Sequence, residues 1–421
     1  MADLVIKGGT LLTMNGSIIE NGTVCIENGV ITFVGKEIKE DAQKVISAKG
    51  CAVLPGLINA HTHLPMTLLR GYARDLPHME WTQKIRMAEA KLTPGDVRAG
   101  ARLGALEMIR SGTTSFADMY IYMDEVAKAV EETGMRAALG YGMIQGLNED
   151  SRTKLKNRED FVRKWDGAAR GRITTMYAPH SAESCSKEFL IKVRELAEKT
   201  GTRIHIHVLE TEDELNLMKK RYGMCSVNLL DDINMLGPNV LAAHCIWLSD
   251  DDIGILKNKG VNVVHCPSSN MALGAGIARI PEMLEKGINV ALGTDGAASG
   301  VSLDMWKEMR AASLLHKSKD PRTMPALQVL EMATVNGARA MGINAGMLKT
   351  GCLADIIIVD VDEPTFISCD LISSLVNGGS GCHVRTTIVN GKVLMEDHKI
   401  IGFDEEKIME DARKAKSGII C

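Results

Sequence analysis

The sequence predicts a (β/α)8 barrel of the TIM type, carrying a small β-sandwich domain formed by both chain ends. Two observations predict it. The two ends are rich in short β-type runs separated by Asn-Gly turns, and the middle is not. The middle instead alternates eight apolar, strand-like runs with longer amphipathic stretches over about 290 residues.

The N-terminal part comes first. "LVIKGGTLLTMNG", "GTVCIENGVITFVG" and "AQKVISAKG" hold Asn15-Gly16 and Asn28-Gly29 between apolar runs. Asn-Gly in that setting is the strongest short hairpin signal. The far end repeats the pattern with "ADIIIVDVD" and "TTIVNGKVLMED", which contains Asn390-Gly391. Residues 1–55 and 346–421 are therefore expected to share one small β domain, with residues 56–345 inserted between them as the barrel. Chain ends that lie close together make such an insertion tolerable. The barrel strands are expected at Gly56–Ala60, Thr113–Ala117, Arg136–Leu139, Thr174–Ala178, Arg203–Val208, Val240–Ala243, Val261–His265 and Asn289–Gly293. Helices are expected between most of them, for example over Pro94–Ser111 and Lys187–Thr200. A doubly wound open sheet is the runner-up. It predicts a glycine-rich phosphate loop after the first strand, and none stands there.

Composition narrows the function classes. The chain has 421 residues, long enough for a large domain plus a smaller one. Its net charge of -4 gives no reason to expect nucleic acid or an anionic membrane as partner. No apolar run is long enough to span a membrane. The start, "MADLVIKGGT", lacks the basic and apolar segments of a signal peptide. The ten cysteines form no C-x-x-C pair, which suits reduced thiols in a cytoplasmic protein.

Active sites of this barrel sit at the C-terminal ends of the strands. Strand one ends in His61 and His63, within "INAHTHLPM". Residues i and i+2 of a strand share a face, so the two imidazoles point the same way. Strand four ends at His180, strand five at His207 with Glu210 just beyond, strand six at His244 and strand seven at His265. Strand eight runs into Asp295. One H-x-H is weak, since 11 histidines in 421 positions give about 0.3 such pairs by chance. Here there are two, His61/His63 and His205/His207. An aspartate closing an otherwise apolar strand is costly to bury unless paired or metal-bound. Together these features favour a metal site over satisfied core polar groups. His205 shares a face with His207 but lies deeper, and is expected to be a hydrogen-bonded core histidine. His78, His316, His383 and His398 read as surface or loop residues.

"PGLINAHTHLPM", "HVLET", "AAHC" and "LGTDGAAS" together resemble the amidohydrolase superfamily. Within it they are similar to the 5′-methylthioadenosine/S-adenosylhomocysteine deaminases and the related 5′-deoxyadenosine deaminases. The likeness runs over nearly the whole chain and includes "GCLADIIIVD" after the barrel. It implies His61, His63, His207 and Asp295 as ligands of one divalent metal ion per subunit. Three imidazoles and one carboxylate with a position open to water suit zinc, with iron(II) as the alternative. No lysine closes a central strand to bridge two metals, so the site is expected to be mononuclear.

The implied reaction is hydrolytic deamination of an adenosine-type nucleoside to the inosine analogue and ammonia. Metal-activated hydroxide would attack C6 of the purine. Glu210 would shuttle a proton to the neighbouring ring nitrogen. His244 would hold the attacking oxygen, and Asp295 would also take a proton from it. The H-x-E and P-C-x-x-C signature of cytidine-type zinc deaminases is absent. By the same likeness, Trp81, Glu89 and His180 contact the nucleoside, Glu89 through the ribose hydroxyls. The segment 265–278 is expected to shape the pocket rather than do chemistry. Family members that take S-adenosylhomocysteine often carry an arginine near the position of Tyr141. Arg152 is the nearby substitute, and Tyr141 itself favours a small apolar 5′ group. Partners are expected to be a small-molecule nucleoside and further copies of the chain, as a dimer or tetramer. Two alternatives compete: a guanine-type or triazine-type amidohydrolase acting on a free heterocycle, and a catalytically silent binding protein.

Overall fold

The computed structural model describes residues 2–36, 41–144, 151–318 and 320–419; the side chains of residues 151, 152 and 154 lie outside that description. Eight parallel strands form one sheet in strict chain order. They span Leu57–Thr62, Thr113–Tyr120, Arg136–Met143, Ile173–Pro179, Arg203–Val208, Val240–His244, Asn262–His265 and Asn289–Leu292. All eight match expected runs. Nearly every residue in them is buried, as required of strands covered on both faces. Inside, Ile58, Ala60, Ala117, Ala138, Met176, Leu241, Val264 and Ala291 fill the barrel floor. Outside, the helices bury the main core against the other face.

First and last strands meet at the mouth through a few specific bonds. Asp295 N donates to His61 O at 3.0 Å, and Thr294 N donates to Asn59 Oδ1 at 3.0 Å. Gly293 allows this approach. A Cβ at that position would lie 2.8 Å from both His61 Cβ and His61 N. The run "LGTDG" therefore seats Asp295 directly beside His61.

The strands of both chain ends join one mixed nine-stranded sheet. Its core includes Leu4, Ile6, Val24, Val53, Ile356 and Ile388. The strand Cys51–Pro55 pairs antiparallel with Ile356–Asp360, which ties the two ends together. The chain closes with a helix, Glu405–Ile419, that a purely β reading of this end does not include. It turns Ile408, Ala412 and Ile419 inward, and Asp411 pairs with Arg102 at 3.2 Å. Among the described residues, no helix is long and apolar enough to cross a membrane.

A buried ion pair links the two sheets. Arg136, at the floor end of the third barrel strand, reaches Asp355 at 2.6 Å and 3.1 Å, and Asn390 N donates to the same carboxylate at 2.7 Å. Both side chains are almost fully buried. Removing one partner strands the other charge, which costs about 3–5 kcal/mol. Asp355→Ala is expected to lower the chemical denaturation midpoint accordingly; a loss below about 1 kcal/mol would show that water reaches Arg136.

Candidate metal centre

Four strand ends bring four imidazoles and a carboxylate together. His61 and His63 close the first strand, His207 the fifth, His244 the sixth, and Asp295 follows the eighth. Asp295 Oδ1 stands 3.3 Å from His61 Nε2 and 3.2 Å from His63 Nε2. One ligand atom from each of His61, His63 and Asp295 lies within 4.8 Å of the others, and the same holds for His61, His207 and His244. His205 sits one layer below and shares a 2.8 Å hydrogen bond with His61 Nδ1, the core role expected for it.

These donors fit a metal ion. A carbonyl can only accept, so the 2.6 Å contact of His63 Nδ1 with Met119 O places a proton on Nδ1 and turns Nε2 toward Asp295. Burial opposes a charge on this ring, but Asp295 outweighs it and raises His63 to about 9, so a metal ion would take the place of the Nε2 proton. His207 Nδ1 is fixed in the same way by His180 O at 2.7 Å. His61 Nε2 is buried without a hydrogen-bond partner. Asp295 Oδ2 accepts from Ser269 Oγ at 2.6 Å and Ser299 Oγ at 2.8 Å, which turns Oδ1 inward. Outer bonds of this kind orient ligands in metal sites. Burial holds His207 well below its ordinary pKa and lowers His61 to about 4, so both rings stay neutral. Burial opposes ionisation of Asp295, but its contacts with His61 and His63 outweigh that and keep the carboxylate charged.

The local backbone is bent at these positions. Leu209, His244, Cys245 and Asp295 all have positive φ, at 46°, 70°, 51° and 58°. Non-glycine residues adopt such values at a cost, and they cluster where side chains must be aimed. Here the bends turn strand ends across the barrel mouth.

Glu210 stands beside this cluster. Its Oε1 is 3.8 Å from His244 Nε2 and 3.5 Å from His78 Nε2. Burial opposes its charge, but His244 and His78 prevail and hold its pKa at about 2. The Glu210 amide N donates to Glu214 Oε2 at 3.0 Å, which fixes the turn after the strand. His244 Nδ1 bonds Asn270 Oδ1 at 2.9 Å.

The expected substrate contacts ring the same mouth. His180 lies 4.6 Å, ring to ring, from His207, with Ser184 Oγ at 3.1 Å from its Nδ1. Trp81 and Glu89 lie on the helix His78–Glu89, and Trp81 Nε1 donates to Ala298 O at 3.4 Å. Burial raises the Glu89 carboxyl above its ordinary range. A groove of about 590 Å³ continues outward past His180, Arg86, Glu183 and Arg221. Arg152 belongs to the helix Ser151–Trp165, but its side chain lies outside the described residues.

Three sequence expectations need correction. His78 is not a bystander at the surface, because the helix it opens carries it back over Glu210. Only its i, i+3 spacing to Trp81 on one helix face hinted at that. The segment 265–278 does more than shape a pocket, since Ser269 and Asn270 hold Asp295 and His244 directly. Tyr141 turns its ring outward, against Phe161 and under the Arg158 guanidinium at 3.7 Å, and its hydroxyl accepts from Tyr122 N. It offers no argument about the 5′ substituent.

A nearly closed parallel barrel with clustered imidazoles and an oriented carboxylate at its mouth has the build of a metal-dependent hydrolase. The chain belongs to the amidohydrolase family, whose pattern matches residues 52–394. It is 56% identical to a 5′-deoxyadenosine deaminase of Methanosarcina mazei, over 100% of this chain and 99% of that one. It is 46% identical to a 5-methylthioadenosine/S-adenosylhomocysteine deaminase of Pelotomaculum thermopropionicum, over 98% of each chain. The crystal structure of an adenosine deaminase from Xanthomonas campestris with bound zinc superimposes with a TM-score of 0.96 at 30% identity, covering 99% of this chain and 98% of that one.

Proposed function

We propose that this chain hydrolytically deaminates adenosine-type nucleosides, with 5′-deoxyadenosine the leading substrate, and that it does so with zinc held by His61, His63, His207 and Asp295. 5′-Methylthioadenosine, S-adenosylhomocysteine and adenosine belong to the same substrate class. The full-length likeness to a 5′-deoxyadenosine deaminase carries this reading. The zinc-bound relative supports the choice of metal, with iron(II) second. A cytoplasmic homo-oligomer, dimer or tetramer, completes the proposal.

Bound at those four residues, zinc supplies the Lewis acidity that makes water a nucleophile at neutral pH. The protein's own groups do the rest. Glu210, charged and next to His244, accepts a proton from the water and passes it to the ring nitrogen beside C6. That transfer lets the C6–O bond form without a stranded negative charge on the ring. His244, whose Nδ1–H is held by Asn270 Oδ1, turns Nε2 to the incoming oxygen and holds it in place. Asp295 accepts the second water proton through its centre-facing oxygen. The C6–N bond then breaks, and the amino group leaves as ammonia after taking that proton. Each acid–base role is worth roughly 10²–10⁴ in rate.

Glu89 is read as the acceptor of two ribose hydroxyls, and hydrogen bonds to charged groups contribute about 1.5–3 kcal/mol. Glu89→Ala is expected to cut kcat/KM for ribosides by roughly 10–150-fold, and to matter much less for a 2′,3′-dideoxy analogue. Equal losses on both would remove Glu89 from ribose recognition. The function itself is tested by a panel on one metal-replete preparation: 5′-deoxyadenosine, 5′-methylthioadenosine, S-adenosylhomocysteine, adenosine, adenine, guanine and a chlorotriazine. The nucleosides are expected to win; preference for a free heterocycle would overturn the proposal.

A further inference from the structure

The helix His78–Glu89 crosses the mouth of the barrel. Its first turn meets Glu210, beyond the fifth strand, through His78. Trp81 meets Ala298, beyond the eighth. Its last turn lies beside Tyr120, at the end of the second, through Glu89. A nucleoside that touches Trp81, Glu89, His180 and Glu210 therefore lies beneath this helix.

The helix is lightly anchored at its start. Its buried residues are Ile85 and Ala88, both in the second half. Pro77 precedes it and supplies no side-chain cap. Met79 and Met87 are exposed. Besides the half-buried Trp81 ring against the main core, what holds the first turn down is polar: the His78–Glu210 pair and the Trp81–Ala298 bond. An element held by few apolar contacts opens at low cost.

Chemistry adds a conflict over one atom. His78 Nε2 and His244 Nε2 both approach Oε1 of Glu210. A purine ring nitrogen that exchanges a proton with this carboxylate must come within hydrogen-bond reach of it. His244 belongs to the buried strand end, so it keeps its place. His78 is the neighbour that can leave.

We propose that His78 occupies on Glu210 the place taken by the purine ring nitrogen, so that nucleoside binding displaces His78 and lifts the first turn of the helix. His78 is thus a positioning residue that sets apparent substrate affinity. The inference rests on the proposed role of Glu210 toward a purine.

The test uses the full-length, metal-replete protein with His78→Ala and His78→Phe, the second keeping a ring against Trp81. A protein whose competent state is only partly populated binds more weakly by that fraction. Both variants are expected to lower KM for 5′-deoxyadenosine by about three- to tenfold, with wild-type metal content. Trypsin cleavage at the exposed Arg86 is expected to be faster in both variants than in the wild type. A KM that rises or stays unchanged, or equal cleavage rates, overturns the proposal. Should the wild type convert no adenosine analogue, the functional reading fails separately, and the cleavage rates alone decide the role of His78.

Discussion

Asp295→Ala is expected to leave a folded protein that holds well below one equivalent of transition metal and has lost more than about 10³ in kcat/KM. The reason lies in how much converges on this carboxylate. Its Oδ1 stands 3.3 Å and 3.2 Å from two imidazole nitrogens, while its Oδ2 is pinned by two serines. No other carboxylate is placed to contact both His61 and His63 among the described residues. Three imidazoles remain in the variant, too few to bind the ion tightly and without the anion that offsets its charge. The expected loss exceeds the 10²–10³ typical of one missing oxyanion donor, because a ligand and a proton acceptor go together. Asp295→Asn provides the control that keeps shape and removes charge. Ser269→Ala, which touches only the outer oxygen, is expected to cost about 10–100-fold in metal affinity or activity. Full metal occupancy and near-normal turnover in Asp295→Ala would move the site elsewhere.

Glu210→Gln carries the second large effect, and it separates proton transfer from metal binding. Glutamine keeps the length and shape of the side chain. The backbone of the turn is unaffected, since Glu214 holds the Glu210 amide rather than its carboxylate. The lost function is acceptance of a proton, which an amide does not do at neutral pH. The variant is expected to keep its metal and lose about 10²–10⁴ in kcat. Loss of the metal would make Glu210 a ligand. Unchanged turnover would assign the shuttle to another group, with His244 first in line.

Much of this arrangement was legible in the sequence, for identifiable reasons. The eight barrel strands stood out because strands buried on both faces must be continuously apolar, and the helices between them are not. The placement of His61, His63, His207, His244 and Asp295 followed from one rule, that loops at the C-terminal ends of parallel strands carry the site. Other features depend on distances that no local pattern encodes. His78 reaches Glu210 across 132 positions of chain because a helix inserted after the first strand folds back over the mouth. Ser269 and Asn270 were hidden inside a run that reads as an ordinary turn-rich loop. Tyr141 misled because the family likeness gives a position in the chain without saying which face of the strand its side chain takes. Its neighbours Gly140 and Gly142 hold the other face, and the tyrosine packs on Phe161.

One measurement bears most directly on the central claim. The metal-replete protein is given 5′-deoxyadenosine in water enriched in heavy oxygen, and product and ammonia are measured together. The account predicts 5′-deoxyinosine carrying one solvent-derived oxygen at C6, with one ammonia released per product, and no reaction after chelation until zinc or iron(II) is restored. Release of free adenine, or conversion that continues undiminished in the metal-depleted protein, would contradict it.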